Sequence, residues 1–276
     1  MVSKFKDSMN ASPLISIVTP NYNCAKFISE TIESVLAQDY QNWEMLIQDD
    51  CSSDKSYQIA LEYAKQDSRI KVERNESNSG AAVTRNNAIR RSQGEYLAFL
   101  DSDDLWLPNK LSKQLKFMMD NDCDFSFTKY EHMDEDGKSL LEQAQVTKKL
   151  NYTKLMMHCW PGCLTVMYRQ VVANKIYAGD VKKNNDHALF LRVMRQCKNG
   201  MGLDECLALY RIRKGSISRN KFKVLQPFVT VLHDFEHKSY ITAYFCVFTH
   251  MFVKTLFKYK KIEEKDSIVN LLTTQA

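Results

Sequence analysis

The sequence predicts an α/β protein, with a mostly parallel sheet covered by helices on both faces and a helical segment at the C-terminus. Two observations carry this. Through the first half, short β-branched apolar runs alternate with stretches whose apolar residues recur at helical spacing, the βαβαβαβ rhythm of a covered parallel sheet. Three polar clusters, "TPNYN", "DDCSSD" and "DSDD", stand directly after predicted strands, where open α/β sheets bind their ligands.

The elements follow in order. "LISIVT", Leu14 to Thr19, is a short apolar run stopped by Pro20 and reads as a buried strand. Ile28, Ile32, Val35 and Leu36 share one face of a helix. "WEMLIQ", Trp43 to Gln48, is a second strand ending at Asp49 and Asp50. Asp54 is placed to cap a helix carrying Tyr57, Ala60, Leu61 and Ala64. "RIKVER" is a third strand, Ala81 to Arg91 a third helix and "EYLAFL" a fourth strand. Pro108 suits the first turn of a helix whose apolar face is Leu111, Leu115, Met118 and Met119.

Beyond about residue 130 the rhythm breaks. "EHMDEDGKSLLEQAQVTKK" reads as a mobile polar loop. "CLTVMYR" and "MGLDECLALYRIR" read as strands and "NNDHALFLRVMRQ" as a helix. Phe222 to Lys261 reads as helical and aromatic-rich. Met156, Met157 and Met167 are assigned to the core.

Composition sets the outer bounds. A chain of 276 residues, 44% hydrophobic and 26% charged, has enough apolar residues for one large domain and excludes wholesale disorder. A net charge of +5 is too weak to point to nucleic acid, but it favours a phosphorylated ligand or an anionic membrane. The eight cysteines form no C-x-x-C pair, which argues against structural zinc and for free thiols in a reducing cytoplasm. "MVSKFKDSMNASP" has no apolar core of a signal peptide. In the cytoplasm the acceptor patterns at Asn75 and Asn151 carry no meaning.

The chemistry concentrates at "GEYLAFLDSDDLW". An apolar strand running into Asp101, Asp103 and Asp104 gathers like charges that cost energy to desolvate. A cation is expected there. An Asp-x-Asp at a strand end suits Mg²⁺ or Mn²⁺, which take one or two carboxylates together with substrate phosphates. Neither a G-x-G-x-x-G nor a G-x-x-x-x-G-K-[ST] loop is present, so phosphates fall to the metal and to basic side chains, of which Arg85, Arg211 and Arg213 are the candidates.

"ISIVTPNYNCAKFISETIESVLAQDYQNWEMLIQDDCSSD" followed by "NSGAAVTRNNAIRRSQGEYLAFLDSDDLWLPNKL" closely resembles the family-2 inverting glycosyltransferases of the GT-A fold, the Rossmann-like fold of nucleotide-diphospho-sugar transferases. The resemblance is strong from about Pro13 to Leu111. It continues more weakly through "NNDHALFLR" and "LALYRIRKGSIS" to about Ser218. It implies a division of the chain into an N-terminal extension (1–12), a nucleotide-sugar-binding half (13–130), an acceptor-binding and catalytic half of the same domain (131–220) and a C-terminal helical tail (221–276).

The resemblance also implies roles. Thr19, Pro20 and Tyr22 would line the nucleotide pocket, Asp50 would meet the base, typically uracil, and Arg85 would lie near the nucleotide. Asp101 would approach the ribose with Ser102 beside it, Asp103 would hold a divalent cation, and Asp186 would be the catalytic base. Three positions depart from the family's pattern: Asn185 replaces a common acid, His187 stands where an aromatic is frequent, and Arg213 stands where many relatives have His. Arg213, with Arg211, then fits a cationic clamp on the diphosphate better than a metal ligand. Ser216 and Ser218 complete the "YR-x-[HR]-x-x-S-x-S" pattern.

The implied activity is transfer of a hexosyl or N-acetylhexosaminyl group, with inversion, from a nucleotide-diphosphate donor, typically UDP, to a hydroxyl of a glycan or lipid-linked saccharide in cell-envelope polysaccharide synthesis. The alternative is a nucleotide-sugar-binding protein without catalysis, for which Asn185 is the support. A haloacid-dehalogenase-like phosphatase would carry its Asp-x-Asp after the first strand, and a sugar nucleotidyltransferase would need a Gly-rich basic loop there. Neither fits.

Several residues keep two readings. Asp49 belongs to the site or simply caps or solvates a turn, and Asp104 is a ligand or a supporting, helix-capping carboxylate. His158 and Trp160 form an acceptor floor or core, while His187 is read as structural. The uncharged, aromatic Ser239 to Val253, flanked by Lys238, Lys254, Lys258, Lys260 and Lys261, is too short to span a bilayer. It lies on the inner membrane surface, packs on the catalytic domain, or forms a homodimer interface. The expected location is the cytoplasm, at or near the inner face of the plasma membrane.

Overall fold

The computed structural model describes residues 12–158, 161–170, 175–179, 181–213, 225–256 and 259–270. The first half alternates as the sequence predicts: β1 (Ile15–Asn21), α1 (Ile28–Leu36), β2 (Trp43–Asp49), α2 (Ser56–Gln66), β3 (Ile70–Arg74), α3 (Ala81–Arg91) and β4 (Tyr96–Phe99), then the short β5 (Leu105–Trp106) and α4 (Lys110–Asp120). The second half holds β6 (Phe125–Met133), β7 (Ser139–Ala144), β8 (Lys149–Leu150), α5 (Tyr152–His158), β9 (Met167–Arg169), α6 (Asn185–Met194) and β10 (Gly200–Arg211). The chain closes with α7 (Leu225–Thr230), α8 (Tyr240–Leu256) and β11 (Tyr259–Lys261).

Among the described residues eleven strands join one sheet. β3, β2, β1 and β4 lie side by side and parallel. Beyond β4 the sheet turns antiparallel through β9, β6, β7 and β11, and β10 runs parallel to β6 while pairing antiparallel with β5 and β8. The order 3-2-1-4 leaves a crevice between the carboxyl ends of β1 and β4, the topological switch point at which such sheets bind ligands.

The central strands are buried on both faces, which explains their near-continuous apolar runs. Ile15, Ile17, Met45, Ile47, Tyr96 and Ala98 face one core with α1 and α4. Val18, Leu46, Leu97 and Phe99 face the other, with α3, α6 and the C-terminal helices. Phe190 of α6 meets Phe99 and Phe125 edge-on, with ring centroids 5.5 and 5.7 Å away, so α6 is seated directly on the sheet.

Three expectations are corrected. Of "CLTVMYR" only Met167–Arg169 is strand, and Cys163–Thr165 forms a single 3-10 turn. Residues 131–149 are not a loop: β6 and β7 form a hairpin around a turn in which Asp134 accepts from the N–H groups of Asp136 and Lys138. Its polar residues are paired. Buried Glu131 accepts from Ser139 and Ser267, and His132 meets Glu142 at 3.0 Å. The segment 222–261 is not wholly helical either, because Tyr259–Lys261 adds an edge strand to β7. Asp54 starts α2 by accepting from Ser56 N–H, and also holds Ala25 N–H. Residues 1–11, Trp160, Ser216 and Ser218 lie outside the described residues.

Lys110, the first residue of α4, is completely buried with its Nζ 3.8 Å from the Trp106 ring centroid and no hydrogen-bond partner among the described residues. Burial pushes its pKa well below the ordinary lysine value. A lysine depressed in the folded state destabilises wherever the unfolded chain holds the proton and the folded one resists it. That penalty shrinks as pH rises toward the unfolded value of about 10.4. Lys110→Met is therefore expected to raise the unfolding free energy at pH 7 by about 1–3 kcal/mol, with a smaller gain near pH 10, as read by urea unfolding at the two pH values.

Candidate active site

A cavity of about 970 Å³ opens at the crevice beyond β1 and β4. Pro20, Tyr22, Asp50, Arg85, Asp101, Ser102, Asp103, Asp186, Arg211 and Arg213 all line it. Of the residues expected there, Thr19 alone lies elsewhere: it is fully buried in β1, beneath the wall that Pro20 and Tyr22 form. Cys24, Lys26, Phe27, Asn78, Glu135 and Asn184 also line the cavity and were not singled out from the sequence. Their signal was position alone, since Cys24 to Phe27 continue the polar cluster after β1.

The turn after β2 separates two adjacent aspartates. Asp49 is sealed off: its carboxylate accepts from Asn21, Ser52 N–H and Ser52 Oγ, and pairs with Arg74 at 3.3 Å. It shapes the turn. Asp50 faces the cavity and accepts from Ser79 N–H at 2.7 Å, Gly80 N–H at 2.8 Å and Asn75 at 2.9 Å. It thereby fixes the entry to α3, where Gly80 takes a φ of +83° that an L residue rarely adopts.

The loop after β4 is held by three arginines. Arg85 on α3 is buried and reaches Asp101 at 3.1 Å, and its other guanidinium nitrogen donates to the Asn185 side-chain oxygen. Arg213 pairs with Asp103 at 2.8 Å and approaches the Cys24 sulfur at 3.5 Å. Asp104 is buried. Its carboxylate accepts from Arg211 N–H at 2.9 Å, and its carbonyl accepts from Thr31, so it supports the loop from below. Burial pushes the Asp103 carboxyl above its usual range against the pull of Arg213. Asp104 is pushed up strongly by burial, and by the Asp103 and Asp101 charges beside it.

Arg211 departs from its expected role. Its guanidinium donates to the Asp103 and Glu135 carbonyls and pairs with Glu30 at 2.6 Å, with its side chain 1% exposed. The protein's own oxygens engage all three of its guanidinium nitrogens, so Arg211 positions the loop, while the Arg213 side chain is the more exposed of the two at the cavity. The Phe27 ring packs against both guanidinium groups.

Asp186 sits in the first turn of α6 and lines the cavity, with one carboxylate oxygen accepting from His187 N–H at 2.8 Å. The helix's N-cap residue, Asn184, has a left-handed φ of 54° and makes no side-chain cap bond. His187 is buried, contacts the Leu155 carbonyl at 3.2 Å and stacks on Phe228, in keeping with a structural role. Met167 is buried, and Met156 and Met157 pack against the core.

The donor set suits a divalent cation that arrives with phosphates. Among the described residues no three His, Cys, Asp or Glu side chains form a preformed cage. Asp103, however, is a largely desolvated carboxylate with Asp101 nearby, and it already attracts a cationic side chain. One or two carboxylates plus a diphosphate is the ordinary way Mg²⁺ is held.

Solved structures share this architecture. The chain superposes on S. aureus TarS (residues 1–349, in complex with UDP-GlcNAc) with a TM-score of 0.68 at 20% identity, over 90% of this chain and 74% of that one. It superposes on the mannosyltransferase PcManGT of Pyrobaculum calidifontis, in complex with GDP-Man and Mn2+, with a TM-score of 0.62 at 12% identity, over 96% and 80%. The fold is that of the GT-A glycosyltransferases. Residues 16–173 match the family model "Glycosyl transferase family 2". The putative teichuronic acid biosynthesis glycosyltransferase TuaG of Bacillus subtilis is 42% identical over 86% of this chain and 94% of its own length. WfgD of Escherichia coli, a UDP-Glc:alpha-D-GlcNAc-diphosphoundecaprenol beta-1,3-glucosyltransferase, is 38% identical over 84% and 90%. The chain belongs to glycosyl transferase family 2, and it is a transferase.

The three-way anchoring of Arg211 makes a stability prediction. Arg211→Lys keeps the charge but loses the planar fork, leaving buried carbonyls unpaired. It is expected to cost about 1–3 kcal/mol. Glu30→Gln should cost less than about 1 kcal/mol, since the Glu30 side chain is 52% exposed. Denaturant unfolding of both variants checks the ranking.

Proposed function

We propose that the chain transfers a sugar, with inversion, from a UDP-sugar to a hydroxyl of a glycan or lipid-linked saccharide during cell-envelope polysaccharide synthesis. One observation carries the reading: Asp186, the Asp101–Asp103 loop and Arg213 line the same cavity. An acceptor base and a cationic site for a leaving diphosphate therefore share one space. The choice of UDP draws on WfgD and on the TarS complex with UDP-GlcNAc. The GlcNAc-diphosphoundecaprenol acceptor in the name of WfgD suggests the lipid-linked option.

In this mechanism the half-exposed Tyr22 offers the nucleotide base a flat face and Asp50 offers it a carboxylate oxygen. Asp103, with Asp101 beside it, would hold a divalent cation, which when bound supplies charge neutralisation to the leaving diphosphate. Arg213 reinforces that neutralisation by charge-assisted hydrogen bonds. Asp186, in the first turn of α6, takes the proton from the acceptor hydroxyl as its oxygen attacks the anomeric carbon opposite the diphosphate. Attack from that face inverts the centre, and a single protein base is sufficient.

Asn is isosteric with Asp, so Asp186→Asn should fold normally and bind UDP normally, but it cannot accept a proton. Loss of a general base lowers rates about 10²–10⁴-fold, so nucleotide release in the presence of acceptor is expected to fall at least about a hundredfold. Near-normal transfer would remove Asp186 from the role. Asp103→Asn is expected to abolish most of the Mn²⁺ dependence of UDP binding in calorimetry, and an unchanged dependence would move the cation elsewhere.

A further inference from the structure

Among the described residues nothing covers the outer apolar face of helix α8. Ala243, Cys246 and Val247 are buried against the domain. On the other side Ile241, Tyr244, Phe245, Phe248 and Phe252 recur at helical spacing and are between 56% and 84% exposed. Five such side chains in one stripe exceed the scattered apolar residues that every soluble surface carries. The segment from His237 to Ile262 contains five lysines and no acidic residue. Lys260 and Lys261 are exposed on β11, which ends opposite Glu142 and just before Glu263.

We infer that this face lies in the interface of an anionic lipid bilayer. An apolar stripe with aromatic rings, bordered by lysines and free of acids, matches a surface of acyl chains under negative headgroups. The helix has 17 residues, about 25 Å at 1.5 Å per residue, which is short of the roughly 30 Å of a hydrocarbon core. Among the described residues no helix is long and apolar enough to cross a membrane. The helix therefore lies on the bilayer rather than through it.

The surface is mechanically joined to the catalytic half. His250 of α8 stacks on Phe228 with centroids 5.2 Å apart, and Phe228 stacks on His187 at 4.8 Å. His187 follows Asp186 directly. Thr249 also donates to the Met157 carbonyl on α5. A bilayer that holds α8 thus holds the helix bearing Asp186 near its surface, where a lipid-linked hydroxyl would be found. This last step rests on the proposed role of Asp186; the lipid binding does not.

The test is co-sedimentation of the full chain with vesicles of phosphatidylglycerol and phosphatidylcholine at low salt. The vesicles contain no saccharide, so the result does not depend on whether the chain transfers sugar. Binding is expected, with at least about tenfold weaker partitioning onto phosphatidylcholine alone or for the variant Lys260→Glu/Lys261→Glu. A similar drop is expected for Phe245→Ser/Phe248→Ser, whose calorimetric UDP affinity should match the parent chain. Absence of binding to anionic vesicles would overturn the inference, as would full binding by the phenylalanine variant. A parent chain that is dimeric by light scattering, and monomeric in that variant, would reassign the face to a subunit interface.

Discussion

The structure depends on how the negative charge after β4 is compensated. An apolar strand delivers three carboxylates into a loop that is largely out of water, and such a cluster holds its shape only if cations and N–H groups surround it. They come from far along the chain. β10 supplies the Arg211 N–H to Asp104 and, two residues on, Arg213 to Asp103, while α3 supplies Arg85 to Asp101. The register that brings them there is set by β6, where Leu209 lies opposite Glu131 and Arg211 opposite Met133. Glu131 is itself buried and fully engaged. The antiparallel half of the sheet is thus what makes the acidic loop of the parallel half tolerable.

Arg85 does a second job. By reaching both Asp101 and Asn185 it ties the loop after β4 to the start of α6, and so the Asp101–Asp103 end of the cavity to Asp186. A neutral amide at 185 accepts this hydrogen bond without adding charge. A carboxylate there would compete with Asp101 for the same guanidinium and would set another anion beside Asp186. Asn185 thus gives Arg85 an acceptor that a carboxylate would also give, without the extra charge.

What the sequence revealed divides along physical lines. The first four strands and three helices were legible because both-face burial leaves continuous apolar runs, and the helices carry a clear period. The "DSDD" cluster and the "YRIR" segment were legible as charge at strand ends. The β6–β7 hairpin was not, because its charged residues satisfy one another across the turn and look like solvent-exposed loop when read singly. β11 was missed because three residues at a sheet edge owe their conformation to β7. Arg211 and Arg213 are spaced to share a face, yet one is engulfed by protein oxygens and the other, paired with Asp103, stays partly exposed. That distinction comes from the Glu135 turn and α1, and no local pattern announces it.

The start of α6 argues that Asp186 is placed by the core rather than by helix capping. A helix optimised for its own stability would open with a side-chain cap in extended backbone. This one opens with Asn184 in the left-handed region and no cap bond, a conformation Asn accepts at modest cost. What fixes the helix instead is its far face: Phe190 locked between Phe99 and Phe125, and His187 stacked under Phe228. Local rules yield at functional sites when the surrounding packing over-determines the geometry. A cap chosen for stability would have occupied the N–H groups of the first turn. Here the first-turn carboxylate accepts from His187 N–H and lines the cavity beside Asn184 and Asn185.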